Sequence, residues 1–541
     1  MPASRHVIHV CQGTGCLSAG AEQVLASINQ EIANLRLQGQ VEVKGTGCHG
    51  LCQAAPLVVI EPQGLLYARV QPADAAEIAR SFLPGGRPVE RLFYYDSAIK
   101  QPVASFRDIP FYYKQERLVL RNCGRINPRS IDEFLATGGY QAARRAIHEM
   151  TPREIVEEVK RSGLRGLGGA GFPTGRKWEA CQRQPSGQKF VICNGDEGDP
   201  GAFQDCAVME GDPHSILEGM IVAARAVGAD RGYIFVRAEY PRAVASLRLA
   251  IEQARERGFL GRGIFGSRMD LDIQVFQGAG AFVCGESTAM VQSIQGNRGI
   301  PRPAPRPRTT EQGLWGKPTL LNNVKTFASI PLIINHGAAW FASRGTEGSK
   351  GTAIFSLTGN VVNTGLVEVP MGTRLRDIIF DIGGGIPNGR AFKAVQTGGP
   401  SGGCVPAGML NLPVDFDSLT AVGSMMGSGG MVVMDQDTCM VDVSRYFLDF
   451  TRRESCGQCI PCRVGTKQMF DILDAITRRE GRPGDIDLLV ELGESIKKTS
   501  LCGLGQSAPN PVLTTIRYFR DEYEAHIRDG YCPAGVCQSY Q

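Results

Sequence analysis

Seventeen cysteines stand in this 541-residue chain, and twelve residues in three sets have spacing that suits metal chemistry. Cys11-x4-Cys16 and Cys48-x3-Cys52 lie near the N-terminus among Gly13, Gly15, Gly47 and Gly50. Four thiolates are the complement of a [2Fe–2S] cluster, and glycine lets the loop backbone wrap an inorganic core and donate N–H groups to it. Tetrahedral zinc uses the same number but needs no glycine cradle. Two disulfides would suit a short secreted chain better than one of this length. Near the C-terminus Cys456-x2-Cys459-x2-Cys462 precedes Cys502. Three closely spaced thiolates with a distant fourth fit a [4Fe–4S] cube better than zinc. His526, Cys532, Cys537 and the isolated Cys439 form a third set whose ligand types suit Zn²⁺, against the alternative of a linker with free thiols. Cys123, Cys181, Cys193, Cys206, Cys284 and Cys404 have no ligand spacing and read as core or turn residues.

A second chemistry lies between the clusters. Arg165 to Trp178 (RGLGGAGFPTGRKW) is a glycine-rich loop whose bare amides, with Lys177, can cradle a phosphate. A predicted strand, Lys189–Cys193, runs into the acidic turn Asn194 to Gly201, at the strand end where ligands bind in open α/β sheets. A strand at Ile273–Phe276 leads to Gly278–Ala289 and a helix, and Gly313–Thr319 with Asn322–Thr326 adds amides and hydroxyls. Each segment alone would pass as a structural turn.

These motifs need scaffolds. Residues 1–85 read as strand (Arg5–Val10), helix (Ala21–Leu37), strand (Gln40–Lys44), strand (Leu57–Glu61), strand-like Leu65–Val70 and helix (Asp74–Phe82). Residues 86–120 read as a linker packed on the next domain, 121–345 as the ligand-binding domain, and 346–434 as a strand- and glycine-rich module with strands Ala353–Thr358 and Gly365–Val369 and a short helix Leu375–Asp381. Residues 435–525 read as helical and 526–541 as a Cys-containing tail. The fold class is α/β multidomain.

Charge and hydropathy narrow the function. With 58 Lys+Arg against 54 Asp+Glu the formal charge is +4, which argues against nucleic acid or an anionic membrane surface as partner. No apolar run reaches the length of a membrane span and the N-terminus lacks a signal-peptide pattern, so no direct membrane insertion and a cytoplasmic location are expected.

The motifs also carry a resemblance. CQGTGC and GTGCHGLC resemble the thioredoxin-like [2Fe–2S] ferredoxins. Residues 122–328 resemble the FMN- and NADH-binding domain of the flavin-bearing subunit of respiratory complex I and its soluble relatives, with a Rossmann-like fold, and residues 351–434 resemble the ubiquitin-like SLBB domain that follows it. The resemblance implies that Gly166, Gly168, Lys177, Asn194, Asp196, Glu197, Gly285, Glu286, Asn322, Asn323 and Thr326 line the FMN, that Phe172, Lys177, Glu197, Phe282 and Glu286 face the dinucleotide, and that Gly169 and Ser287 belong to the same cofactor pocket. Hydride transfer is then run by the cofactor, with Glu197 and Lys177 positioning the substrate and no acid–base catalyst required. Two departures stand out: relatives commonly carry a second acid where Ser287 stands and a glutamate where Lys325 stands. Both remove negative charge, so NADPH is expected to be accepted, against the alternative of drift at a site still selective for NADH. The resemblance implies an electron-input (diaphorase) subunit working with a small [2Fe–2S] subunit and a multi-cluster catalytic subunit. The leading assembly is a soluble NAD(P)-linked, electron-bifurcating hydrogenase, whose subunits share the CPAGVC tail, although they continue into a two-cluster ferredoxin. The alternatives are the beta subunit of an NAD-dependent formate dehydrogenase and a non-catalytic iron–sulfur electron-transfer module.

Overall fold

The computed structural model describes residues 6–96, 99–303 and 307–537. The N-terminal module is a four-stranded sheet in the order Val41–Thr46, His6–Cys11, Val58–Glu61, Leu65–Tyr67, with the first pair parallel and the rest antiparallel. Its first strand begins at His6, and the expected Arg5 lies outside the described residues. The helix Ala21–Asn34 buries Ala21, Val24, Ile28 and Ile32, an i, i+3, i+4 stripe that faces the module core.

The central sheet is wholly parallel, in the order Thr319–Asn323, Phe190–Gly195, Arg231–Val236, Asp272–Gln277. Phe190, Val191, Ile192 and Cys193 are all buried, the continuous apolar run expected of a strand covered on both faces. The helix Pro213–Val227 is buried almost throughout and packs on the helix Val324–His336. There Gly219 is required, because a Cβ would meet the Phe327 carbonyl oxygen at 2.0 Å.

The third module is a five-stranded mixed sheet, Gly365–Pro370, Thr352–Gly359, Gly430–Asp435, Phe392–Thr397, Gly403–Pro406. The expected short helix is one π-type turn at Asp377–Ile382. The segment expected as a linker contains a strand pair, Tyr94–Asp96 with Gln101–Val103, and buries Phe111 and Tyr112. Its contacts reach the third module: Tyr94 donates to Asn363 Oδ1 at 2.7 Å, and Glu368 accepts from the amides of Val119 and Leu120 at 2.9 Å. Helices Met440–Arg453, Thr466–Thr477, Asp485–Thr499 and Asn510–Arg528 form the last module. Among the described residues no helix is long and apolar enough to cross a membrane.

One short helix joins the first two modules. Gln204–Gly211 has eight residues, about 12 Å of rise. Its last residue touches the N-terminal cysteine loop so closely that a Cβ on Gly47 would lie 2.5 Å from Gly211 Cα. Gly47→Ala is therefore expected to destabilise the chain by about 1–3 kcal/mol, read by denaturant unfolding, whereas Gly39→Ala, with nothing within 4 Å of the added Cβ, should shift it by less than about 0.5 kcal/mol.

Candidate flavin and cluster sites

The parallel register builds the central site. Asn323 lies opposite Asn194 and Asn322 opposite Cys193, so the carboxyl ends of two adjacent strands present amides side by side. Asn194 Nδ2 donates to the Gly285 carbonyl at 2.9 Å, fixing the loop after the fourth strand. Asn322 Oδ1 accepts from Trp178 Nε1 at 3.0 Å, which anchors the helix Thr174–Gln182 that follows the glycine loop.

These segments enclose a cavity of ≈ 610 Å³. Gly166, Gly168, Gly169, Phe172, Lys177, Asn194, Asp196, Glu197, Phe282, Gly285, Glu286, Ser287, Asn322 and Asn323 all line it. Thr326 does not. It is fully buried beneath the glycine loop, where its Oγ1 accepts from the Leu167 amide at 2.9 Å. Glu286 caps the helix Ser287–Ile294, accepting from the amides of Thr288 and Ala289 at 2.9 and 3.0 Å. Lys177 Nζ donates to the Leu321 carbonyl at 3.0 Å, and burial pulls its pKa down to about 8.

Carboxylates dominate the floor. Both oxygens of Asp196 are buried without a hydrogen-bond partner, and burial raises its pKa to about 7. Glu197 accepts from the amides of Asp205 and Cys206, both at 2.9 Å, and so caps the helix Gln204–Gly211. Burial, then the Asp205 charge, lifts its pKa to about 7. The two orphaned oxygens of Asp196 call for donors that the protein does not supply, and the hydroxyls of a ribityl chain fit them. The glycine loop leaves room for backbone approach: a Cβ on Gly168 would sit 3.0 Å from Asn323 Cβ.

Lys325 requires a correction to the charge argument made from sequence. It is buried and paired with Asp205 at 2.8 Å, and it donates to the Ser428 carbonyl at 2.9 Å. It is absent from the cavity wall. Its charge is neutralised by Asp205, and only Ser287 of the two departures lines the cavity.

The structure adds residues that sequence reasoning missed. Asp199, Asp205, Gly398, Ser401, Met425, Gly427, Ser428, Leu504, Gln506 and Ser507 also line the cavity. Gly169 forms a bridge with Gly427, so the third module closes one side. The turn at 398–401, which packs on Gly427, is visible in sequence as a Gly-Gly-Pro-Ser run, but nothing local connects either to the glycine loop.

The cysteine sets come together around this centre. Cys48 and Cys52 Sγ are 3.9 Å apart, and the His49 amide donates to Cys11 Sγ at 3.4 Å. Cys11 and burial together push the Cys16 thiol up, and Gly13 leaves space that a Cβ would fill at 2.8 Å from Cys48 Cβ. All seventeen cysteines are free. In the helical module Cys456, Cys459 and Cys502 bear electrostatically on Cys462, whose Sγ lies 3.2 Å from Ser455 Oγ. Cys502 itself lines the cavity, and the Phe282 amide donates to Glu454 beside the cluster loop at 3.0 Å. Cys439, His526, Cys532 and Cys537 converge with all ligand atoms within 4.8 Å of one another. His526 Nδ1 faces the Glu522 carbonyl at 2.7 Å, leaving Nε2 toward the thiols.

Comparison with known proteins agrees with this geometry. Residues 159–332 match the Nuo51 FMN-binding domain, 442–526 the NADH-ubiquinone oxidoreductase-F iron–sulfur binding region, 1–83 the thioredoxin-like [2Fe–2S] ferredoxin and 354–405 the SLBB domain. The F subunit of NADH-quinone oxidoreductase of Escherichia coli is 40% identical over 406 residues, 75% of this chain and 91% of the relative. The chain belongs to the family of NADH-quinone oxidoreductase F subunits. The NADP-reducing hydrogenase subunit HndC of Solidesulfovibrio fructosivorans is 56% identical over 424 residues, 78% of this chain and 86% of the relative. The crystal structure of an NAD⁺-reducing [NiFe]-hydrogenase in the H₂-reduced state matches with TM-score 0.69 and 30% identity, over 98% of this chain and 85% of that one. The chain is thus a diaphorase-type subunit with an FMN-binding domain and [2Fe–2S] and [4Fe–4S] modules.

The unpartnered Asp196 has a consequence for stability. Its folded pKa of about 7 exceeds the ordinary 3.8, so the folded state holds more protons and loses stability as pH rises through that window. In the flavin-free chain, Asp196→Asn should raise the melting temperature by an amount that grows from pH 4 to pH 7 and is level above, while weakening FMN binding about tenfold.

Proposed function

We propose that this chain is the electron-input subunit of a soluble NAD(P)-linked hydrogenase, accepting hydride from NAD(P)H and delivering single electrons to its two clusters. The observation that carries the reading is Cys502: one residue belongs both to the [4Fe–4S] set and to the wall of the flavin cavity. When bound, FMN supplies the conversion between paired and single electrons. Asp196 and Asn323 would hold the ribityl chain, the amides of Gly166–Gly169 and Lys177 would hold the phosphate, and Phe172, Phe282 and Glu197 would position the dinucleotide. The helix Gln204–Gly211 spans from the cavity to the N-terminal thiols, which gives the [2Fe–2S] module a separate contact with the flavin site.

The favoured assembly rests on the similarity to HndC and on the converged tail set, which we assign to zinc by its ligand chemistry. The exposed apolar side chains Ile460, Val464 and Leu501 beside the cluster cysteines suit docking of a catalytic partner. A small [2Fe–2S] subunit completes the expected complex. Seventeen cysteines, none of them in a disulfide, suit a reducing cytoplasm.

Cys502→Ser tests the reading. NADH should still bleach the flavin absorbance, while the reduced [4Fe–4S] signal in electron paramagnetic resonance is lost. Cluster reduction that survives in this variant, despite loss of the ligand from the cavity wall, would count against it. Elemental analysis of the wild-type chain should find about one zinc, falling to none in Cys532→Ser/Cys537→Ser with flavin content kept.

A further inference from the structure

The cavity described above is rich in acids: Asp196, Glu197, Asp199, Asp205 and Glu286 all line it. A dinucleotide carrying a 2′-phosphate adds about two negative charges to its adenosine end, so a cation is needed where that end rests. Most nearby cations are already engaged. Lys325 is paired with Asp205, and Lys177 donates to the Leu321 carbonyl. Arg237 is paired with Glu239 and donates to the Glu197 carbonyl. The guanidinium of Arg302 donates to the Gln312 carbonyl at 3.1 Å.

Arg308 differs. Its side chain is exposed, and its guanidinium carbon lies 5.7 Å from the centroid of the Phe172 ring, an aromatic that lines the cavity. Stacking on an aromatic face holds a guanidinium in orientation while leaving its N–H fork open to a phosphate. The Arg302 amide donates at 2.8 Å to Thr288 Oγ1, next to Ser287, which places a small neutral side chain in the cavity wall. The Glu311 carboxylate accepts from the Arg308 amide at 3.2 Å, fixing the backbone from which the guanidinium projects.

We infer that Arg308, stacked on the cavity-lining Phe172, is the residue that recognises the 2′-phosphate of NADPH and sets the preference between the two dinucleotides. This rests on the reading of the cavity as an NAD(P)H site. A guanidinium can form a bidentate pair with phosphate, whereas a lysine acts only as a point charge. Because the site is open to water, the preference should weaken as salt is raised.

The test uses the flavin-loaded full-length chain and compares adenosine 2′,5′-bisphosphate with adenosine 5′-monophosphate by equilibrium binding. Arg308→Ala should weaken the bisphosphate about tenfold and the monophosphate less than about twofold. Arg308→Lys should recover part of the loss. The ratio of kcat/KM for NADPH to that for NADH should fall by the same factor, and the difference should shrink between low and high salt. Equal weakening of both nucleotides, or of neither, overturns the role of Arg308 while leaving the dinucleotide site in place. A wild-type chain that binds neither nucleotide overturns the NAD(P)H reading, and the role of Arg308 falls with it.

Discussion

The buried ion pair of Lys325 with Asp205 is the interaction on which the flavin site depends. Lys325 stands in the first turn of the helix that follows one central strand, Asp205 in the first turn of the helix Gln204–Gly211, and the Ser428 carbonyl comes from the third module. Asn323 also donates to Asp205. One charge pair thus ties two strand ends and a neighbouring domain to a common point. Removing one partner of a buried pair typically costs about 3–5 kcal/mol, because the other charge is left in a place that water cannot reach. Such a pair offers geometry more than stability, and here the geometry it fixes is the cavity floor.

Around that point the protein keeps charge where burial opposes it. Asp196, Glu197 and Asp199 are all raised, by burial in the first place. Glu197 is compensated by two helix amides and Asp199 by the Ser428 hydroxyl, but Asp196 has no donor within the protein. An uncompensated carboxylate in a cavity is stability given up for ligand binding. The cavity is also walled by three modules at once, so that the glycine loop, the 398–428 turns and the Cys502 loop must assemble together before a flavin can be held.

Much of this is legible in the sequence, for reasons that differ by element. The Cys-x2-Cys-x2-Cys run and the N-terminal pairs are local spacings, and the parallel strand Phe190–Gly195 announces itself by an unbroken apolar run. Strands separated by helices imply that the central sheet is parallel, while its order, with Thr319–Asn323 beside Phe190–Gly195, is not a local pattern. Sequence reasoning misreads the role of Lys325 because a charge change beside a motif says nothing about which way the side chain points; the answer lies in Asp205, 120 positions away. It sets Thr326 in the wall for the same reason, although that residue supports the glycine loop from beneath. The Gly169–Gly427 bridge and the packing of Gly211 on Gly47 rest on backbone approach across modules, which no local pattern encodes. Ligand type suggests the tail set, and only folding brings Cys439 to His526 and Cys537, at 3.7 and 3.5 Å.

Whether the flavin is the gate through which every electron reaches the clusters is decided by an anaerobic titration with NAD(P)H, in which the reduced iron–sulfur signals are followed as a function of flavin occupancy. Chains with their clusters intact but stripped of flavin should show no cluster reduction, and the signal should rise in proportion as FMN is restored. Equal reduction of the clusters with and without flavin, or a bleached flavin beside clusters that stay oxidised, would refute that role.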